Sequence, residues 1–258
     1  MNTKTLSNRA LSVIDQYLHF KFGSAVCSVP YFNNKTVKAR AALRPLIGKG
    51  SPEEIHEEVQ AVLVKERMQG ASLADESLKK LLVDANLGVD CSAFAYYVLN
   101  SENQELGKGS LDKHVSFVNC TGVVGKLRCA LRPIENCDVA TLAHDKNSRA
   151  MPVKEINPGD FISLTGGPEG FERDHILVIH QVEYQNFIPT KIHYSHAVAY
   201  PEDGLYGSGI KQGEIEVLDP NKTILEARWI ENGKENSFNP IFIRAQRSRT
   251  EIRRLNWF

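Results

Sequence analysis

No charge of one sign is in excess: the 258 residues carry 31 Lys and Arg against 31 Asp and Glu, a formal net charge of zero. That balance excludes a bulk attraction to nucleic acid, and no acidic tail points to a cationic partner. Long apolar runs are missing as well, so no integral membrane segment is expected. Met1 to Leu6 contain no continuous apolar stretch, which reads as no signal peptide. The five cysteines (27, 91, 120, 129 and 137) are odd in number and form no CxxC pair. Free thiols in a reduced, cytoplasmic setting are expected, and no metal site, because zinc sites usually show close ligand pairs. Gly166-Gly167 lacks the Lys and helix start of a phosphate loop, and no cofactor is expected. There is no internal repeat and no low-complexity tract.

A chain of this length suits one domain, 1–258, with a sizeable core. Leu6, Ala10, Leu11, Ile14, Tyr17 and Leu18 fall on one helical stripe over residues 5 to 20. Ser51-Pro52-Glu53-Glu54 combines an N-cap Ser, a Pro at the first helical position and a capping-box Glu. That helix is expected to reach about Gln69 and stop at Gly70, with a shorter one opening at Ser72. Residues 50–86 then form a helical insertion, and the glycine-punctuated stretch 101–155 an irregular one. After Asn157-Pro158-Gly159 the chain turns strand-rich: Phe161 to Leu164, Ile176 to Tyr184, Lys191 to Ala199, Glu214 to Leu218 and Ile241 to Ala245. Turns are read at Thr165 to Gly170 and Pro201 to Gly204. Helices first and an antiparallel sheet second make an α+β fold.

The most informative stretch is Gly88-Val89-Asp90-Cys91-Ser92-Ala93-Phe94. Phe94, Ala95, Val98 and Leu99 have helical spacing, which places Cys91 on the first turn of a buried helix. The unpaired N–H groups and dipole of a helix start favour a thiolate, the nucleophilic form. Downstream, His175 opens a strand-like run and His196 lies in the next, Tyr194-Ser195-His196-Ala197. Cysteine, then histidine, then a third polar group is the order that a cysteine hydrolase needs.

These motifs resemble the NlpC/p60 superfamily of papain-like cysteine peptidases. The likeness covers about residues 88 to 218 and rests on Asp90-Cys91-Ser92-Ala93-Phe94, Pro158-Gly159-Asp160-Phe161, His175 and His196. Ala93 stands where the family has glycine. The resemblance implies a papain-like fold, with a nucleophile helix packed on an antiparallel sheet. It also implies Cys91 as nucleophile, His175 as base and His196 as its orienting group. His193 competes with His196, and being three residues apart on a strand the two face opposite ways. Tyr31 either lines the substrate wall, as a tyrosine upstream of the nucleophile does in the family, or simply packs. Asp90 and Ser92 border the same wall, Asp90 also as the helix cap and Ser92 as support behind the nucleophile. The implied substrate is a peptide or peptidoglycan fragment cleaved at an amide bond. Acyl transfer to another acceptor, or a binding module with a degenerate site, are the alternatives.

Overall fold

The computed structural model describes residues 2–33, 43–67, 73–167 and 174–258. Within them the chain is α+β, with a large antiparallel sheet. β1 (Asn2–Thr5) leads into α1 (Asn8–Leu18), which Ser7 caps by accepting a hydrogen bond from the Ala10 N–H. The predicted stripe is buried through Ala10, Ile14 and Tyr17. β2 (Phe20–Phe22) and β3 (Ala25–Cys27) form a small separate hairpin. α2 (Pro52–Lys65) begins with the full capping box: Ser51 accepts from the Glu54 N–H, and Glu54 accepts from the Ser51 N–H. The helix ends at Lys65, one turn short of the Gln69 expected from its pattern. Gly70 and Ser72, read as its stop and the next start, lie outside the described residues. α3 (Asp75–Asp84) has Ala74 at its cap position.

α4 (Cys91–Glu105) is buried on nearly every side, which is why its sequence is apolar all round at its start. It continues as regular helix into the first residues of the stretch expected to be irregular. α5 (Gly122–Leu131), α6 (Pro133–Asn136) and α7 (Val139–Leu142) make 122–142 largely helical, before β4 (Ser148–Ala150), whereas 106–121 is irregular apart from one 3-10 turn, Leu111–Lys113. Gly122, at φ +69°, sits at the start of α5 and so does not interrupt it. Cys120 and Cys129 form a disulfide, against the expectation of free thiols throughout; Cys27, Cys91 and Cys137 are free. The odd count concealed one pair and three single residues.

The sheet follows: β5 (Phe161–Thr165), β6 (His175–Gln185), β7 (Ile188–Val198), β8 (Gly209–Glu216), β9 (Arg228–Glu231) and β10 (Lys234–Glu235). α8 (Pro240–Gln246) and β11 (Arg249–Leu255) complete the chain. Strand order is β10-β9-β8-β7-β6-β5-β11-β4, with β1 also paired to β6. The expected strand Ile241 to Ala245 is therefore a helix, capped by Asn239 and opened by Pro240. The part of the predicted 165–170 turn beyond Gly167 lies outside the described residues.

Both faces of the central strands are covered, so their apolar residues run almost continuously. Ile176, Val178 and Ala197 pack with Phe94, Val98 and the rest of the α4 layer. Leu177, Ile179, Tyr194 and Trp229 pack with Ile241, Phe242 and Ala245 of α8. A bulge in β6 between Ile179 and Gln181 returns Val182 and Tyr184 to that second face.

Candidate active site

Three segments meet beneath the start of α4. Val89 is bridged on one side by Tyr31 and on the other by Lys49. Phe32 N–H donates to the Val89 carbonyl and Val89 N–H to the Pro30 carbonyl, both at 3.1 Å. So close an approach requires glycine: a Cβ on Gly88 would lie 2.5 Å from the Pro30 carbonyl oxygen. The predicted Tyr31 is thereby tied to the backbone that carries the nucleophile. Burial, with the Cys91 charge next in weight, pushes its phenol well above the usual range.

Asp90 and Ser92 are largely committed to scaffolding. Asp90 Oδ1 accepts from the Ala93 N–H at 2.8 Å, from Ser92 Oγ at 2.8 Å and from Lys49 Nζ at 3.0 Å. Lys49 Nζ also donates to Ser92 Oγ at 2.7 Å and pairs with Asp90 Oδ2 at 2.9 Å. All three side chains are buried. The cap role expected of Asp90 is present. As substrate contacts, Asp90 and Ser92 are disfavoured because their polar atoms are already used.

Cys91 is the first residue of α4, so its N–H has no partner four residues back in the helix. Its thiol points at the backbone around His175: Sγ is 4.0 Å from the Asp174 carbonyl, to which it donates. Burial and then the Asp90 carboxylate push the thiol up to about 12. Arg244, Lys49 and the Ile176 N–H pull the other way without prevailing. The helix start alone therefore does not hold a resting thiolate, contrary to the expectation from sequence.

His175 opens β6 and is 2 % exposed. Its Nε2 lies 2.7 Å from Nδ1 of His196 on β7. His196 is fully buried, and its Nε2 donates to Glu231 Oε2 on β9 at 2.8 Å. The Tyr200 hydroxyl donates to the other oxygen, Oε1, at 2.6 Å. Burial disfavours the Glu231 charge, but His196 and Tyr200 outweigh it and hold the carboxyl below its usual range. An ionised carboxylate only accepts, so His196 carries its proton on Nε2. Where His196 donates only through Nε2, its Nδ1 accepts from His175 Nε2–H, which leaves His175 Nδ1 bare as a base. Burial first, then the Arg244 charge, hold His175 neutral, well below the ordinary histidine range.

The line passes from β7 over β8 to β9 because β8 carries Gly213 between Tyr194 and Glu231. A side chain there would collide with the Tyr194 hydroxyl. His193 is on the other face, with Nε2 2.8 Å from Glu183, and His180 shares the Ser195 hydroxyl at 3.0 Å. The structure thus brings Cys91, His175, His196 and Tyr31 into one region and leaves His193 out.

Four residues escaped the sequence reading: Glu231, Tyr200, Lys49 and Arg244. Arg244 comes from α8 and acts electrostatically on Cys91, His175 and Tyr31. None lies in a motif, and only strand pairing and the packing of α8 bring them to the site. No protein-family model matches this chain, and no curated protein or solved structure matches it either.

Proposed function

We propose that this chain is a papain-like cysteine hydrolase of the NlpC/p60 type. Its substrate is an amide bond in peptidoglycan stem peptides or related small peptides. The observation that carries the reading is the buried line from His175 through His196 to Glu231, which starts one residue after the carbonyl that the Cys91 thiol meets at a helix N-terminus. That carbonyl belongs to Asp174, the residue just before His175, so the thiol and the histidine line share one end of β6. The motif resemblance supports the substrate class.

Substrate binding turns the thiol from the Asp174 carbonyl toward His175, as catalytic hydrogen bonds often tighten only in the complex. His175 Nδ1 takes the thiol proton while sulfur bonds to the amide carbon. The carbonyl π electrons move to oxygen, and the Cys91 N–H at the helix start donates to that oxyanion. The positive charge on His175 is shared through Nε2 with His196, beside Glu231. When the tetrahedral intermediate collapses, the C–N bond breaks and His175 returns the proton to the leaving amine. Water, deprotonated by the same nitrogen, then attacks the thioester and releases the acid and the Cys91 thiol.

The test is incubation with soluble stem peptides containing a D-amino acid, followed by mass spectrometry, for the parent, Cys91→Ala and His175→Ala. Cleavage by the parent that both variants lose supports the reading. Cleavage that survives Cys91→Ala, or no cleavage by the parent across a panel of such peptides, overturns it. An added amine acceptor distinguishes hydrolysis from acyl transfer by the product formed.

A further inference from the structure

Helix α5 plays no part in the chemistry above and presents an unusual surface. Among its ten residues only Cys129 is buried, and that residue is bonded to Cys120 just before the helix. The opposite face is apolar and open: Val123 is 85 % exposed, Val124 81 %, Leu127 59 % and Leu131 74 %. At about 100° per residue, these four side chains with Ala130 fill one arc of about 120°. Lys126 falls at one rim of that arc and Arg128 at the other, both exposed. Gly125 and Cys129 lie on the remaining side, toward the protein.

Charge decides between the possible occupants of this face. No Asp or Glu occurs between Asp112 and Glu135, whereas Lys113, Lys126, Arg128 and Arg132 all do; of these Arg132, past the helix, pairs with Glu135 at 3.2 Å. In a chain of zero net charge this is a local cationic stretch. A second copy stacked face to face would bring the Lys126 and Arg128 rims together, while the acids nearest this face, Glu57, Glu58 and Glu135, lie only at its Leu131 end. An anionic lipid surface meets both requirements, taking the apolar arc among its acyl chains and the rims among its headgroups.

We propose that α5 is an interfacial anchor that docks the protein reversibly on anionic lipid bilayers. The apolar arc of one short helix supplies modest affinity, so binding depends on the basic rims and weakens with salt. The proposal is independent of the catalytic reading.

The test is co-sedimentation of the full chain with phosphatidylcholine vesicles, with and without about 30 mol% phosphatidylglycerol, at low and high salt. Leu127→Glu removes the apolar arc, and the double change Lys126→Glu with Arg128→Glu removes the rims. Both alter exposed side chains, and circular dichroism with a thermal melt verifies that each variant is folded. Binding to the anionic vesicles that falls at least about tenfold in both variants, and weakens with salt, supports the anchor. Absence of vesicle binding overturns it, and so does binding that Leu127→Glu leaves unchanged. Self-association in sedimentation equilibrium that Leu127→Glu abolishes, without vesicle binding, overturns it in favour of a second copy.

Discussion

His196 donates its Nε2 proton to Glu231 across 2.8 Å, with both side chains sealed from water. The contact fixes which nitrogen of His196 is free, and so which nitrogen of His175 is basic. Glu231 thus acts through two rings without touching substrate, as a positioning residue. Glu231→Gln should lower kcat by about ten- to a thousandfold while leaving KM nearly unchanged. Steady-state kinetics on the cleaved peptide checks this. A merely structural carboxylate would lower the folded fraction and leave the pH profile in place. Here the loss of the anion should also move the acid limb of the profile to lower pH.

His193 and His196 provide an internal control. They share a strand, but His193 bonds to Glu183 on the other face. His196→Ala should cost about a hundredfold or more in kcat, and His193→Ala less than about twofold. Kinetics on both variants, with matched thermal melts, makes the comparison.

The pH dependence follows from His175. Its folded pKa is depressed, so the neutral base persists below the ordinary value of 6.5. Activity should therefore stay level through neutral pH and fall only below about 6.5. Stability shares the same window. As pH drops below about 6.5 the unfolded imidazole binds a proton that folded His175 does not, and stability declines toward the folded pKa. The slope from this group is at most about 1.4 kcal/mol per pH unit. Urea unfolding at a series of pH values should show a shallower decline in His175→Ala.

Lys49 holds the nucleophile helix through Asp90 and Ser92. Lys49→Met leaves the buried Asp90 carboxylate without its cation, at a cost of about 3 kcal/mol. Asp90→Ala removes the cap as well and should be no less damaging. Denaturant titration gives both values, and a loss under about 0.5 kcal/mol in Lys49→Met would contradict this role for the pair.

Much of the frame was legible because local chemistry dictated it. The Ser51 capping box and the Asp90 cap were readable as residue patterns and appear as hydrogen bonds. The strands around His175 and His196 were visible as apolar runs. Ile241 to Ala245 shows where that signal fails, since five apolar residues fit a buried strand or a short helix equally well. The Asn239-Pro240 start that decides for helix α8 lies just before the run. β11 was missed for the opposite reason: Arg249-Thr250-Glu251-Ile252-Arg253-Arg254 looks exposed, yet Arg253 is buried on Ser148 and Asp145. Glu231 is one of many acidic residues, 35 positions beyond His196. Only the pairing of β7, β8 and β9, with Gly213 between them, joins the two.

The most direct measurement is the rate of Cys91 alkylation by a small neutral reagent against pH, in the parent and in His175→Ala. If His175 is the base, the parent reacts at a level rate through neutral pH and slows only as the imidazole becomes protonated. The variant then has only its own ionisation, and its rate climbs about tenfold per pH unit toward a thiol near 12. Two profiles that rise together with the thiol would contradict the account, because Cys91 and His175 would not act as a pair.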